Sequence, residues 1–230
     1  MVTSENWLII LVVVLVSYLI GSLPTAYIIG KLRNVNIFEI GSGNMGGTNV
    51  ARALGLGYGL LTAFIDICKG MAAVVLARMM MPETLGMATS IASIVSIVGH
   101  NWSLFASLLY AAANRGTRFV LRGGKGAATA FGTLLMIAPV QIIVAMLAIG
   151  GILILMTRYV SLGVLAAFAL SLSWVLALSL QNLLPVDYIP YALIVGVMIG
   201  WRFRDNIQRL VARTERRLGD RAAIAPHTSA

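Results

Sequence analysis

The sequence predicts an all-α integral membrane protein with seven transmembrane helices, N-terminus outside and C-terminus inside, whose cytoplasmic loops are rich in glycine. Three observations carry this. Of 230 residues, 59% are hydrophobic and 11% charged, and mean hydropathy is +0.91, whereas a soluble domain carries charge on roughly a quarter of its residues. The apolar residues gather into runs close to the ~20 that a spanning helix needs. The basic residues, Lys+Arg 17 against Asp+Glu 8, fall on alternate loops.

In chain order the candidate spans are 7–30, 57–79, 85–106, 127–139, 139–157, 160–180 and 189–202. The first follows Glu5 with neither a basic leader nor a small-residue cleavage site, so it is expected to stay on the mature protein. The fourth and seventh are short, and glycines within 123–126 read as a re-entrant helix start sheltered by protein. With the N-terminus out, the inner loops 31–56, 107–126 and 157–160 carry Lys31, Arg33, Arg52, Arg115, Arg118, Arg122, Lys125 and Arg158, and the tail carries seven arginines from Arg202 to Arg221. The outer loops hold Arg78 beside Glu5, Glu83 and Asp187. The basic excess is therefore topological and not the footprint of a nucleic acid, and it sets a positive potential for anionic lipids or phosphorylated metabolites.

Cys68 stands alone, which excludes an intramolecular disulfide framework, and with His100 and His227 as the histidines no metal or cofactor site is expected. Residues 1–213 read as one seven-helix domain. The remainder, 214–230, reads as a basic to polar cytoplasmic tail, partly disordered.

Three glycine-bearing segments fall on the inner side. The first, GSGNMGGTNVARALG over 41–55, has four glycines in its first seven residues and adds Ser42, Asn44, Thr48, Asn49 and Arg52. Glycines allow close backbone approach, so successive N–H groups can face one anion while hydroxyls and an arginine add donors. The second, RGGKGAAT over 122–129, sets Lys125 just ahead of an apolar run, where a helix N-terminus favours an anion. It is not a Walker A loop, because Gly126 follows Lys125 where Ser or Thr is required. The third, RYVSLG over 158–163, offers Arg158 as an inner-face anchor and Ser161 as a helix N-cap.

Asp66 and Lys69 lie inside the second span at i, i+3, so they share a helix face and can pair, either for function or to fix the helix in the bundle. His100, in GHNW, reads as a polar strut bonded to loop backbone in preference to a general base, since no acid or hydroxyl partner is visible beside it in sequence.

Together these motifs resemble one family, the bacterial integral-membrane glycerol-3-phosphate acyltransferases that use acyl phosphate as donor, the PlsY family. The likeness runs through nearly the whole chain: GSLPTAYIIGKL at 21–32, SGNMGGTNVAR at 42–52, DICKG at 66–70, GHNW at 99–102, RGGKGAAT, RYVSLG, and DNIQRL at 205–210. The resemblance implies a seven-helix fold in the bacterial inner membrane with the active site on the cytoplasmic face. It implies transfer of a fatty acyl group to the sn-1 hydroxyl of glycerol 3-phosphate, giving lysophosphatidate and phosphate, the first step of phospholipid synthesis, without metal or CoA. Acyl phosphate, glycerol 3-phosphate and membrane lipids are the implied partners, and no nucleic acid.

Carried over residue by residue, Lys125, Arg52 and Ser42 become the expected catalytic residues, and with Asn206 they hold glycerol 3-phosphate. Thr48, Asn49, Ser161, Gly43, Gly46, Gly123, Gly124 and Gly126 match residues that shape the acyl-phosphate site, while His100, Arg158, Asp66 and Lys69 are further candidates. Two departures stand out. Phe203 occupies the place of a family histidine, so one phosphate contact is expected to be lost or taken over by Arg202 or Arg204, and the stretch from His100 to Gly123 is longer than the family pattern.

An acyl phosphate brings its own leaving group, so such an enzyme needs phosphate clamps and orientation more than a nucleophile. The inventory fits direct attack by the glycerol hydroxyl, with Lys125, Arg52 and loop N–H groups neutralising two phosphates and the donor phosphate taking the proton. A membrane transporter of a phosphorylated small solute is the alternative, although it would need coordinating groups near the bilayer midplane. A lipid-binding scaffold explains the tail arginines but not the first loop. An acyltransferase of the His-x4-Asp type is excluded by Phe105, and a CDP-alcohol transferase by the isolation of Asp66.

Overall fold

The computed structural model describes residues 4–113 and 119–220. Arg115, Arg118, Arg221 and the end of the tail lie outside the described residues. Among the described residues regular structure is helical, apart from one isolated bridge between Ser103 and Arg122. In chain order the helices are α1 (Ser4–Gly21), α2 (Thr25–Leu32), α3 (Gly47–Leu54), α4 (Leu56–Met80), α5 (Leu85–Asn101), α6 (Leu104–Ala113), α7 (Ala127–Leu135), α8 (Val140–Thr157), α9 (Val160–Leu180), α10 (Tyr188–Arg202) and α11 (Arg204–Val211).

Four stretches, Trp7–Leu32, Leu56–Met80, Val140–Thr157 and Val160–Leu180, are long and apolar enough to cross a membrane. Their outward faces are apolar too, as with Leu155 at 80% and Met156 at 78% exposure, the reverse of a water-facing surface. α5, α7 and α10 are shorter, at 17, 9 and 15 residues.

The expected first span is not one helix. Pro24 lacks an N–H and disfavours helical backbone at Leu23, so the chain breaks after Gly21 and resumes at Thr25. The carbonyls released by the break find protein partners: Leu23 O accepts from Lys69 Nζ at 3.0 Å, and Ser22 O accepts from the Ser103 hydroxyl. Irregular backbone at membrane depth survives only with such partners. The expected third span also ends early, at Asn101, and α6 continues as a separate helix. Tyr110 of α6 and Arg122 brace the chain at Phe38, just ahead of the first loop. Arg122 lies 3.7 Å over the Tyr110 ring and 5.2 Å from Phe38, which itself packs edge-on against Tyr110.

Beneath the site one apolar cluster joins α5 and α7–α10 around Ile142, Phe168, Tyr191 and Val195. A second joins α1, α4 and α5 around Val13, Val74 and Ala88. At the far end Arg78 donates to Thr89 Oγ1 at 2.8 Å and to the Met136 carbonyl at 2.6 Å, closing the short α7. Small residues set the helix spacing, as expected where van der Waals contact drives association. A Cβ on Gly70 would run into the Thr129 carbonyl, and one on Gly132 into the Ile67 carbonyl, so α4 and α7 touch backbone to backbone.

Gly132→Val should therefore force α4 and α7 apart and cost about 1–3 kcal/mol, the usual overpacking penalty. The measurement is the thermal midpoint of detergent-purified protein. Gly200→Ala, where a Cβ meets nothing within 4 Å, should not lower that midpoint and, as a glycine replaced within a helix, should raise it slightly if it moves.

Candidate active site

The first loop is folded by one side chain. Asn49, buried at the start of α3, accepts from the Ser42 N–H at 2.9 Å and donates to the carbonyls of Ile37 at 3.0 Å and Ile40 at 3.1 Å. This wraps residues 37–49 into a turn and presents Ser42, Gly46 and Thr48 toward a common space. Gly41 and Gly43, at φ +62° and +65°, turn the loop and do not themselves line that space. Helix α3 opens at Gly46, leaving early N–H groups directed outward, and carries Arg52 in its last turn.

The second segment meets the first. Met45 N–H donates to the Gly123 carbonyl at 3.2 Å, and Gly124 N–H donates to the His100 carbonyl at 3.0 Å. Side chains on these two glycines would collide with the Asn101 carbonyl and the His100 ring respectively. Gly123 and Gly124, expected to help shape the acyl-phosphate site, do not line the cavity and pack instead against the end of α5. The re-entrant helix start is likewise corrected: 122–126 is irregular buried backbone, and Gly126, at φ +78°, caps α7, which begins at Ala127. Gly126 and Ala127 do line the cavity, with Lys125 beside them.

The third partner is the start of the tail. Lys125 Nζ donates to Asn206 Oδ1 on α11 and lies 4.7 Å over the Phe203 ring. Asn206 Nδ2 in turn donates to Glu215 Oε1 at 2.7 Å, the Ser161 hydroxyl to the same oxygen at 2.9 Å, and Arg209 Nε to Oε2 at 2.7 Å. Ser161 is therefore a ligand of Glu215 and not the expected helix cap, Tyr159 holding the cap position of α9 without a side-chain bond. Burial alone would raise the Glu215 carboxyl, but these hydrogen bonds outweigh it and hold it below the usual carboxylate range. The residues 214–220, expected to open a separate tail, are tied to the site; Leu218 N–H also donates to the Arg158 carbonyl at 2.6 Å. Arg158, whose guanidinium donates to the Leu218 carbonyl at 2.7 Å, anchors this segment outside the cavity.

Asp66 and Lys69 pair as expected, at 2.8 Å. The imidazole of His100 is buried against them with Nδ1 3.7 Å from Asp66 Oδ1, an acid neighbour that lies 34 positions away in the chain and so is invisible to local reading. His100 serves as a strut through its backbone carbonyl and not through its ring. Asp66 and His100 edge the cavity; Lys69 does not. Arg202 donates to the Gly124 carbonyl at 3.0 Å through Nε, and Arg204 stacks on Trp201, so neither takes the place of the absent histidine. Glu215 was unforeseen, and its sequence signal is a carboxylate, one of three acids, in an arginine-rich tail.

These groups surround a cavity of about 810 Å³. At one end sit Ser42, Thr48, Arg52, Lys125 and Asn206; beyond them the walls are apolar, formed by Leu60 of α4, Phe131 of α7, Leu147 of α8 and Phe168 of α9. Among the described residues Arg52 has no hydrogen-bonded partner, and burial, then Arg216, lowers its guanidinium from its ordinary value.

A family model described as glycerol-3-phosphate acyltransferase matches residues 11–213. The chain belongs to the glycerol-3-phosphate acyltransferase family. It is an integral-membrane acyltransferase of that family, similar to the glycerol-3-phosphate acyltransferase of Halalkalibacterium halodurans, with 40% identity covering 88% of this chain and 92% of the relative. A family enzyme of Thermus thermophilus is 38% identical, over 90% of this chain and 94% of the relative. Among solved structures, the glycerol 3-phosphate form of PlsY, described as an integral membrane glycerol 3-phosphate acyltransferase, superposes with TM-score 0.76 at 32% identity, covering 91% of this chain and 96% of that one. Its lysophosphatidic acid form gives 0.74 at 31% identity, over 92% and 96%.

Burial first, then the charge of Arg209, lowers Lys125 to about 8. Its ammonium is therefore present below pH 8 and lost as pH rises through that value, so affinity for a phosphate dianion should fall in the same range. Titration calorimetry with inorganic phosphate should show weakening binding between about pH 7.5 and about 9 with proton uptake. Lys125→Arg, whose guanidinium stays charged, should flatten that profile.

Proposed function

We propose that the protein transfers a fatty acyl group from acyl phosphate to the sn-1 hydroxyl of glycerol 3-phosphate, releasing lysophosphatidate and inorganic phosphate. One observation carries this reading: the N-termini of α3 and α7, with Lys125 and Arg52, meet at the polar end of a cavity whose remainder is apolar. Two helix termini and two cations suit two phosphate groups, one on each substrate, and the apolar walls suit an acyl chain. The names of the relatives and the glycerol 3-phosphate and lysophosphatidic acid forms of the solved relative support the acceptor and the product.

In this reaction the glycerol oxygen attacks the acyl carbonyl carbon, the carbon–oxygen bond to phosphate breaks, and the departing phosphate takes the hydroxyl proton. Lys125 and Arg52 neutralise phosphate charge, Ser42 and Asn206 orient the acceptor, and Thr48, Gly46 and Gly126 line the donor's phosphate. Asn49 and Ser161 act by holding the first loop and Glu215. Positioning and charge neutralisation carry such a transfer, because the leaving group is already activated.

We further propose seven spans, α1–α2, α4, α5, α7, α8, α9 and α10, in the bacterial inner membrane, with the site and 214–220 on the cytoplasmic face. The cavity is lined by α8 from Met146 to Ile154 and by the first turns of α7 and α9, as suits a serpentine of alternating spans. In a Cys68→Ser background, cysteines at Ser42 and Arg213 should both be labelled from the cytoplasm; labelling from opposite sides would remove this topology.

The deciding assay supplies purified protein with palmitoyl phosphate and labelled glycerol 3-phosphate and omits CoA. Lysophosphatidate is the expected product, and a requirement for acyl-CoA would overturn the donor assignment. Lys125→Ala should lower kcat/KM by on the order of a hundredfold, or about 2–4 kcal/mol, as for removal of one oxyanion donor. Lys125→Arg should restore part of it, since a planar fork fits a glycine-walled site poorly.

A further inference from the structure

Three glycines line the apolar part of the cavity on α8 and α9, and they differ in what surrounds them. A Cβ on Gly150 would press on Ala167 and the Gly163 carbonyl, and one on Gly163 would meet the Gly150 carbonyl and Ile154. Those two glycines let α8 and α9 pack closely. Gly151 has no such duty: a Cβ there meets nothing within 4 Å, yet the residue lines the cavity and lies between Leu147 and Ile154 on the same helical stripe. A glycine in a helix interior costs roughly 1 kcal/mol relative to alanine, and helix packing does not account for this one. The space left by its missing side chain belongs to the cavity.

Position along α8 says what would use that space. Gly151 precedes Thr157, at the site end of α8, by six residues, or about 9 Å of helix rise. Groups bound beside Lys125 and Arg52 are small and polar, and a chain running from them along α8 has to pass Gly151 before it reaches Met146 and Phe168.

We propose that Gly151 is a specificity-determining residue for the acyl donor: the missing side chain leaves the channel open at mid-chain, so that long saturated acyl groups are accepted. This rests on the acyl-phosphate reading given above. A bulky residue at 151 closes the channel there and leaves the phosphate-binding end untouched, so short donors should still react.

The test compares kcat/KM for palmitoyl phosphate and octanoyl phosphate in wild-type protein, Gly151→Leu, Gly151→Ala and Gly200→Leu. Gly200 also has open space around its Cβ position but does not line the cavity, and so controls for a leucine added to a spanning helix. In Gly151→Leu the palmitoyl-to-octanoyl ratio should fall about 10-fold or more, with octanoyl transfer close to wild type. Gly151→Ala should shift the ratio the same way by less, and serves if the leucine variant is poorly folded. Gly200→Leu should not shift it. An unchanged ratio in both Gly151 variants overturns the proposal while leaving the donor reading intact. A wild-type protein that makes no product from either acyl phosphate overturns both.

Discussion

The short irregular segment from Arg122 to Gly126 holds the site together. Backbone that is neither helix nor sheet, set among apolar helices, must have its N–H and C=O groups met by protein. Gly123 O is met by Met45 of the first loop, Gly124 N–H by the end of α5, and Gly124 O by Arg202 of α10. Each partner comes from a different part of the chain, so this segment sets the first loop, α5 and α10 in register with one another. The two glycines act through packing, because any side chain there would displace the segment that carries Lys125.

The charge balance of the site follows from that placement. Lys125 is drawn into a half-buried position near Arg52 and Arg209, and cations so arranged repel one another. Glu215 relieves part of this by engaging Arg209 directly and Lys125 through Asn206. The Arg52 guanidinium is left without a hydrogen-bonded partner among the described residues, which suits an anion arriving from outside. Phe203 contributes a ring face to the ammonium without adding a second group that titrates near neutrality, as a histidine would.

Most of the membrane scaffold was legible in the sequence because length and apolarity suffice for it. The expected spans 57–79, 139–157 and 160–180 match α4, α8 and α9 within a residue or so. The reading is poorer where apolarity continues across a change of backbone: residues 22–24 are embedded in a hydrophobic run, and Pro24 was the sole local sign of the break. Short α3 and α11, eight residues each, were read as loop and tail because their stability comes from packing on the site. The first loop and Lys125 were found from their donors and Asn206 from the family resemblance, and the structure brings them together. Partnerships across distant positions, Asp66 with His100 and Ser161 with Glu215, leave no local pattern to read, and the glycines at 123 and 124 carry the same letters whether they face a ligand or a neighbouring helix.

The cavity is closed on one side by Leu218 and Gly219, which the Arg158 carbonyl and guanidinium hold against the start of α9. The wall is therefore made of residues that follow the last helix, α11, while the first loop comes from the first quarter of the chain. During synthesis the helices through α10 can be laid into the bilayer one after another before this wall exists. A ribosome still short of residue 220 has made an unfinished vessel, so this wall is added only after the membrane has received the helices that it closes.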